Sequence, residues 1–305
     1  MLKNIKLVLL IAVISAINLH AQCDCPGSVP FEMVIVSGPI NNGRLMPDAE
    51  NKWIAASYSR ADGDKLYSGT EKQANTYGRS FDREGVIISA GYALTSRMTL
   101  GADYRFNRVK IKDIYTNKKF NTQQISLNWK YNMLSVFDDD EFLAELALNI
   151  PISGGIDSAD VSRVSGAELS TNYAIMPALT YNYMINERLN LIGTLAYSAN
   201  LKLLADGTRM GNTAFARLML RFNDLGGFYP SLALIATKSA KDKVRGTEVE
   251  NSGSTIASAQ LGVGYMLAKY RTSLNLAGSL PVYRKVEGGQ IPPEKTLEFS
   301  ISVGI

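Results

Sequence analysis

Apolar and polar residues alternate along much of this chain, and between Glu84 and Lys112 the alternation runs through two arms joined by a short turn. Val86, Ile88, Ala90, Tyr92 and Leu94 share one face of the first arm. After Thr95-Ser96-Arg97, residues Met98, Leu100, Ala102, Tyr104 and Phe106 share the apolar face of the second, and Thr99, Gly101, Asp103, Arg105 and Asn107 fall opposite. Side chains in a strand point alternately to its two sides. The stretch therefore predicts a β-hairpin, greasy outside and polar inside, with aromatics near the ends of the apolar band, as in a transmembrane barrel. A soluble sandwich alternates as well, so repetition along the chain has to decide.

The pattern does repeat. Lys52 to Arg60 is a first strand of ambiguous phase, and Ala61 to Arg79 reads as a long polar loop. After a loop at Asp113 to Lys119, Ile125, Leu127, Trp129 and Tyr131 alternate with Gln124, Ser126, Asn128 and Lys130. In the connection from Asn132 to Asp140, the run Asp138-Asp139-Asp140 reads as a solvated turn in preference to a calcium site. Phe142, Ala144, Leu146, Leu148 and Ile150 then face outward, with Glu145 and Asn149 inward.

Beyond a Gly, Ser and Asp-rich loop at Ser153 to Gly166, two runs meet at a tight Asn186-Glu187-Arg188 turn. The first places Tyr173, Ile175, Leu179, Tyr181 and Tyr183 outward and Asn172, Thr180 and Asn182 inward. The second places Leu189, Leu191, Leu195, Tyr197, Leu201 and Leu203 outward and Asn190, Thr194, Ser198, Asn200 and Lys202 inward. After a loop around Asp206 to Gly211, Ala214, Ala216, Leu218, Leu220 and Phe222 alternate with Thr213, Arg217 and Arg221. A turn at Asn223 to Gly227, a run from Phe228 to Thr237 and a charged loop at Lys238 to Gly253 follow. The last runs are Thr255 to Leu267, Tyr270 to Tyr283 and Lys295 to Ile305.

This makes about twelve strands, an even number, as single-chain outer-membrane barrels have. The connections after even-numbered strands are mostly tight, and those after the first, third, fifth, ninth and eleventh are longer and polar. Short periplasmic turns and long external loops produce that asymmetry, which puts both termini in the periplasm. The expected fold is all-β: a transmembrane antiparallel up-and-down β-barrel over residues 52–305. Its last strand runs to the final residue, where the outer-membrane assembly machinery would read it, although that residue is Ile305 rather than an aromatic.

Composition, with 46% hydrophobic and 20% charged residues, would by itself suggest an ordinary globular protein. The N-terminus changes that picture. Lys3 and Lys6, an apolar core from Leu7 to Ile17 and Leu19-His20-Ala21 make residues 1–21 a secretory signal peptide. Its apolar run falls short of the roughly 20 residues of a membrane helix, and no later stretch approaches that length. The expected location is the outer membrane of a Gram-negative bacterium, among outer-membrane lipid and lipopolysaccharide. Residues 22–51, with Pro26, Pro30, Pro39 and Pro47, form an irregular segment that lies in the periplasm or enters the lumen.

Signal removal lowers the formal charge from +4 to +2 and takes away His20, the one histidine of the chain. A near-neutral chain offers no case for nucleic-acid binding. Without an imidazole, barrel hydrolases with a Ser-His or Asp-His base are excluded, as are His-ligated metal or haem sites. No nucleophile elbow, phosphate loop or metal-ligand spacing is present, so neither an enzyme nor a cofactor is expected. Cys23 and Cys25 could pair with each other or another chain, bind copper(I) as a weak metal site, or be incidental thiols.

Function then falls to the lumen and the loops. About twelve strands enclose a lumen wider than in eight-stranded barrels and narrower than in porins. Asp103, Arg105, Lys130, Glu145, Arg217, Arg221, Arg271 and Glu298 all fall on the polar phase and are the candidate pore-lining residues. Opposed charges across such a passage would select small-molecule solutes by charge and size; alternatively they pair with one another and fill the interior.

The run from Gly91 to Gly101, Gly-Tyr-Ala-Leu-Thr-Ser-Arg-Met-Thr-Leu-Gly, resembles the recurring G-Y-G-L-T-D-R-L-E-L-G hairpin of the outer-membrane transporter-like family named after a phenol-degradation pathway. Ala93 replaces its second glycine and Ser96 its acid, and Met184 to Ser198 is similar in spirit. The resemblance covers these hairpins and the strand rhythm. It implies a channel for passive or facilitated passage of small molecules, hydrophobic ones included. The alternative is a non-conducting structural or surface-binding barrel that acts through its external loops.

Overall fold

The computed structural model describes residues 45–46, 50–112, 114–115, 117–134, 140–153, 173–201, 208–223, 225–244, 246–250 and 252–305. The signal peptide, Cys23, Cys25, Asn172, Lys202, Leu203, Asp138 and Asp139 lie outside these residues. Among the described residues twelve long strands form the wall: β1 (Lys52–Gly63), β2 (Ser80–Thr95), β3 (Met98–Lys112), β4 (Asn117–Asn132), β5 (Glu141–Ser153), β6 (Ala174–Asn186), β7 (Leu189–Asn200), β8 (Thr213–Phe222), β9 (Phe228–Ser239), β10 (Ser254–Leu267), β11 (Thr272–Gln290) and β12 (Lys295–Gly304). Each pairs antiparallel with its neighbours in sequence, and β1 pairs with β12 from Trp53↔Gly304 to Asp62↔Lys295, so the sheet closes. Closure satisfies the wall's backbone hydrogen bonds and leaves no open edge, which is what lets a sheet sit in lipid.

The burial pattern is inside-out. Leu100, Leu127, Leu148, Leu179, Leu232, Leu261, Leu276 and Leu297 are exposed on the outer face, whereas Ser126, Gln124, Asn182, Asn190 and Ser302 are buried within. Apolar residues on the surface and polar residues in the interior are stable only when the surrounding medium is apolar. At one end the outer face carries stacked Trp129–Tyr131 and Tyr181–Tyr183 pairs, Phe142 edge-on to Tyr181, and Phe228 against Tyr265. Such aromatics anchor a barrel at the membrane interface. At the opposite boundary the outward row turns charged, with Arg60–Asp82 at 3.2 Å and Arg108–Glu84 at 3.4 Å.

Two-residue turns join β2 to β3 and β6 to β7. In each, a side chain caps the turn: Arg97 N donates to Thr95 Oγ1 at 3.1 Å, and Arg188 N to Asn186 Oδ1 at 2.9 Å. Short turns mark the periplasmic end of such barrels, which makes the aromatic end periplasmic and the charged end extracellular.

The extracellular end departs from the expected long loops because strands continue past the membrane. β2 and β3 stay paired to Ser80↔Lys112, and β4 resumes at Asn117, inside the predicted loop. The predicted loop from Ala61 to Arg79 contains a small hairpin, Leu66–Gly69 with Glu71–Gln73, which pairs Tyr67 and Gly69 with Gln290 and Val286 of β11. β11 thus runs to Gln290, and the connection expected to be long is a short one ending at Glu294, which ion-pairs with Lys65 at 2.5 Å. Within the predicted loop from Lys238 to Gly253, Lys243–Val244 pairs with Thr247–Glu248 and with Thr208–Arg209 of the β7–β8 connection.

The ambiguous phase of β1 resolves with Ile54 and Tyr58 outward and Trp53 and Ala55 inward. Trp53 stands directly opposite Gly91, and its indole fills the space a side chain there would need: a Cβ on Gly91 would lie 2.0 Å from Trp53 Cζ2. Gly91→Ala should therefore expel the indole, cost about 1–3 kcal/mol in folding stability, and shift Trp53 emission to the red. Unchanged stability and emission would contradict this packing.

Candidate functional site

The lumen is stratified. Near the extracellular end Phe81, Val109, Ile111 and Ile291 pack together, with Leu66 and Phe120 against them. Deeper, the inner faces of β5 to β8 bring together Ala147, Met176, Ala196 and Phe215, flanked by Ala178 and Ile235. Lys130, Glu145, Arg217 and Arg221 lie on the periplasmic side of this second layer. Here a cavity of about 180 Å³ is lined by Lys130, Glu145, Arg217, Arg221 and Glu298 among others. Small residues of β9 to β12, among them Ser231, Gly262, Gly264, Ser273 and Ala277, line it too.

Most of the sequence-selected charges meet a partner. Asp103 Oδ2 pairs with Arg105 at 3.1 Å and accepts from Asn128 at 2.7 Å. Lys130 faces Glu145 across the β4–β5 register at 3.8 Å, and Glu145 accepts from Thr180 at 2.9 Å. Arg217 reaches Glu298 through Gln260: its Nη2 donates to Gln260 Oε1 at 3.3 Å, and Gln260 Nε2 donates to Glu298 Oε1 at 3.2 Å. In a medium of low polarity such pairing offsets the cost of desolvating each charge.

Arg271 is a correction. β11 begins at Thr272, and Arg271 sits in the preceding turn with φ 47°, exposed at the periplasmic end, where its Nη2 donates to Asn51 Oδ1 at 2.6 Å. It is removed from the lumen because the strand starts later than the alternation suggested. Of the acidic run, Asp140 needs correction as well. Asp140 is buried rather than solvated, accepting from Tyr181 Oη at 2.9 Å and Met184 N at 3.0 Å.

Glu141, at the start of β5, is the residue that the sequence reading passed over. Its carboxylate accepts from Leu45 N at 2.6 Å, Met46 N at 2.9 Å and Asn182 Nδ2 at 2.9 Å. A relay of amides continues from there: Asn190 donates to Asn182 at 2.9 Å, Asn223 to Asn190 at 2.6 Å, and Arg221 Nε to Asn223 at 3.3 Å. Buried donors and acceptors thus run from one charge to the other across the periplasmic end of the lumen. Residues 45 and 46 are held on that relay, with Met46 buried and Leu45 lining the cavity. The period of two that placed Glu145 and Asn149 inward would also have placed Glu141 inward, had the strand been started one residue earlier.

Outside the membrane, Asp242 ties two extracellular connections together. Gly211 N donates to its Oδ1 at 2.8 Å, Ser252 Oγ accepts from its backbone N at 3.1 Å, and Oδ2 has no partner among the described residues. Burial pushes its carboxyl up to about 6, against the Gly211 hydrogen bond, which pulls it down. A raised carboxyl pKa means the closed arrangement holds the proton more tightly than the open one. Its stability is therefore fully present below the ordinary carboxylate pKa and is lost as pH rises through about 6. Hydrogen exchange at Gly211 and Val249, corrected for the intrinsic rate, should be at least about tenfold more protected at about pH 4 than at about pH 8. Asp242→Asn should abolish the difference; an equal pH effect in that variant would contradict the assignment.

Among solved structures the chain is similar in fold to an outer-membrane channel from Pseudomonas putida F1. They share 15% identity and a TM-score of 0.63 over 85% of this chain and 97% of that one. A deletion mutant of the monoaromatic hydrocarbon channel TodX overlaps with a TM-score of 0.48 at 10% identity, over 93% of this chain and 97% of that chain. The KdgM porin in complex with disordered oligogalacturonate gives 0.42 at 10% identity, over 82% and 99%. These two overlap too loosely for comparison strand by strand. No protein-family model and no curated protein matches the chain. Its architecture is that of an outer-membrane β-barrel.

Proposed function

We propose that this chain, once its signal peptide is removed and the assembly machinery has inserted it, is a channel in a Gram-negative outer membrane. Small solutes pass through its lumen by passive or facilitated diffusion. The observation that carries this reading is the cavity lined by Lys130, Glu145, Arg217, Arg221 and Glu298, with the Asp103–Arg105 pair on the extracellular side of Lys130 and the Glu141 relay toward the periplasmic end adding to a charged inner wall. A barrel built only as a scaffold has no need of such a cavity, since apolar packing would stabilise it better than buried ion pairs. Opposed charges around a narrow passage give selection by charge and size.

Residues 45 and 46, held by Glu141, place a backbone segment at the periplasmic mouth, so passage requires this segment to be displaced or bypassed. The test is efflux of a graded series of small solutes from vesicles containing the refolded protein. Release of the smallest solutes with a sharp size limit supports the channel. Retention of every solute by folded protein supports the second reading, a closed barrel acting through its extracellular loops, which the apolar cluster around Phe81 and Ile291 favours.

A further inference from the structure

Arg217 differs from Arg105 and Lys130 in what it touches. Arg105 meets Asp103 at 3.1 Å and Lys130 meets Glu145 at 3.8 Å. Arg217 meets neutral atoms: Gln260 Oε1 at 3.3 Å and Met219 Sδ at 3.1 Å, while its Nε is buried without a hydrogen-bond partner. A guanidinium has five donors in a fixed fork suited to a carboxylate, and here that fork is served by one long amide contact and a thioether. The cavity it borders carries three cations, Lys130, Arg217 and Arg221, against two acids, Glu145 and Glu298. Arg221 is joined through the amide relay to a third acid, Glu141. The lining of the same cavity also includes the apolar Ile87, Leu143 and Ile192, all buried within the wall.

We propose that this cavity is a binding site for a small carboxylate with an apolar body. The carboxylate takes the donors of Arg217 in place of the Gln260 oxygen, and the body lies against Ile87, Leu143 and Ile192. Gln260 and Glu298 set how tightly the site binds. The Gln260 amide is the internal occupant that the ligand displaces, and the Glu298 carboxylate repels an incoming anion. The inference deepens the channel reading, and rests on it for the route by which the ligand arrives.

The test is titration calorimetry of the folded, full-length mature protein with hexanoate near neutral pH, beside its uncharged counterpart hexanamide and the oppositely charged hexylammonium. Hexanoate should bind, with hexanamide and hexylammonium at least about tenfold weaker. Arg217→Gln should weaken hexanoate by at least about tenfold. Glu298→Gln, which keeps the volume and removes the repelling charge, should tighten it several-fold and serves if the arginine variant fails to fold. Equal binding of hexanoate and hexanamide, or hexanoate affinity unmoved by either substitution, overturns the proposal. A protein that conducts ions and ignores hexanoate refutes the site and leaves the channel; one that binds hexanoate and passes no solute does the reverse.

Discussion

Replacing Leu232 by arginine should destabilise the folded barrel in a bilayer by about 2–4 kcal/mol, the cost of an arginine on the lipid face near the midplane. Leu232 is exposed on the outer face of β9, in register between Leu220 of β8 and Leu261 of β10, and Leu261 is itself 68% exposed. A guanidinium there has hydrocarbon on every side and a long reach to either interface. Ser198→Arg provides the contrast. Ser198 is partly exposed within the lumen, opposite Thr213, and an arginine there has polar surroundings, so its cost should stay below about 1 kcal/mol. Reversible unfolding in lipid vesicles measures both. Similar losses for the two variants would contradict the assignment of inside and outside.

Glu141→Ala should release residues 45 and 46 from the periplasmic mouth. The carboxylate is the acceptor for both backbone amides and for Asn182, and a hydrogen bond to a charged acceptor contributes about 1.5–3 kcal/mol. Losing two of them shifts the docking equilibrium by about a hundredfold or more. The Asn182 amide, buried and linked onward to Asn190, loses its acceptor in the same step, so the relay loosens as well. Hydrogen exchange at Leu45 and Met46 is the readout: protection in the native protein, and its loss in the variant while the amides of β5 and β6 stay protected. Protection that survives the substitution would mean that other contacts hold the segment.

Much of the wall was legible in the sequence because a period of two is strong where one face meets lipid and the other meets water. In β3, Leu100, Ala102 and Tyr104 alternate with Gly101, Asp103 and Arg105, and the structure keeps both sets on their expected sides. Prediction weakened where that contrast fades. β1 could not be phased because Trp53 and Ala55 are apolar residues that face inward, where lipid never reaches, with the Trp53 indole filling the space over Gly91. The apolar layers inside, such as Phe215 beside Arg217 on β8, are hidden for the same reason, since their partners Met176 and Ala147 lie on other strands. Loop lengths misled at the extracellular end, where polar sequence past the membrane remains paired strand, as in β11 up to Gln290.

The candidate site was legible one residue at a time and illegible as an arrangement. Strand phase pointed to Asp103, Arg105, Lys130, Glu145, Arg217, Arg221 and Glu298, but it could not indicate that Gln260 links Arg217 to Glu298 or that Lys130 meets Glu145. Those contacts depend on register between strands, which alternation leaves open. Arg271 illustrates the limit at a strand end: a shift of one or two residues in the start moved it from the lumen to a turn. The contact of Leu45 and Met46 with Glu141 spans more than ninety positions of sequence, and nothing local announces it.

The measurement closest to the central claim is single-channel conductance in a planar bilayer, comparing the mature protein with Glu141→Ala. A lumen that conducts once its periplasmic mouth is clear predicts discrete openings in the native protein and a larger open fraction in the variant, with the same ion selectivity. Silence in both, from protein shown to be folded by circular dichroism, would contradict it and leave a closed barrel whose function lies in its extracellular loops.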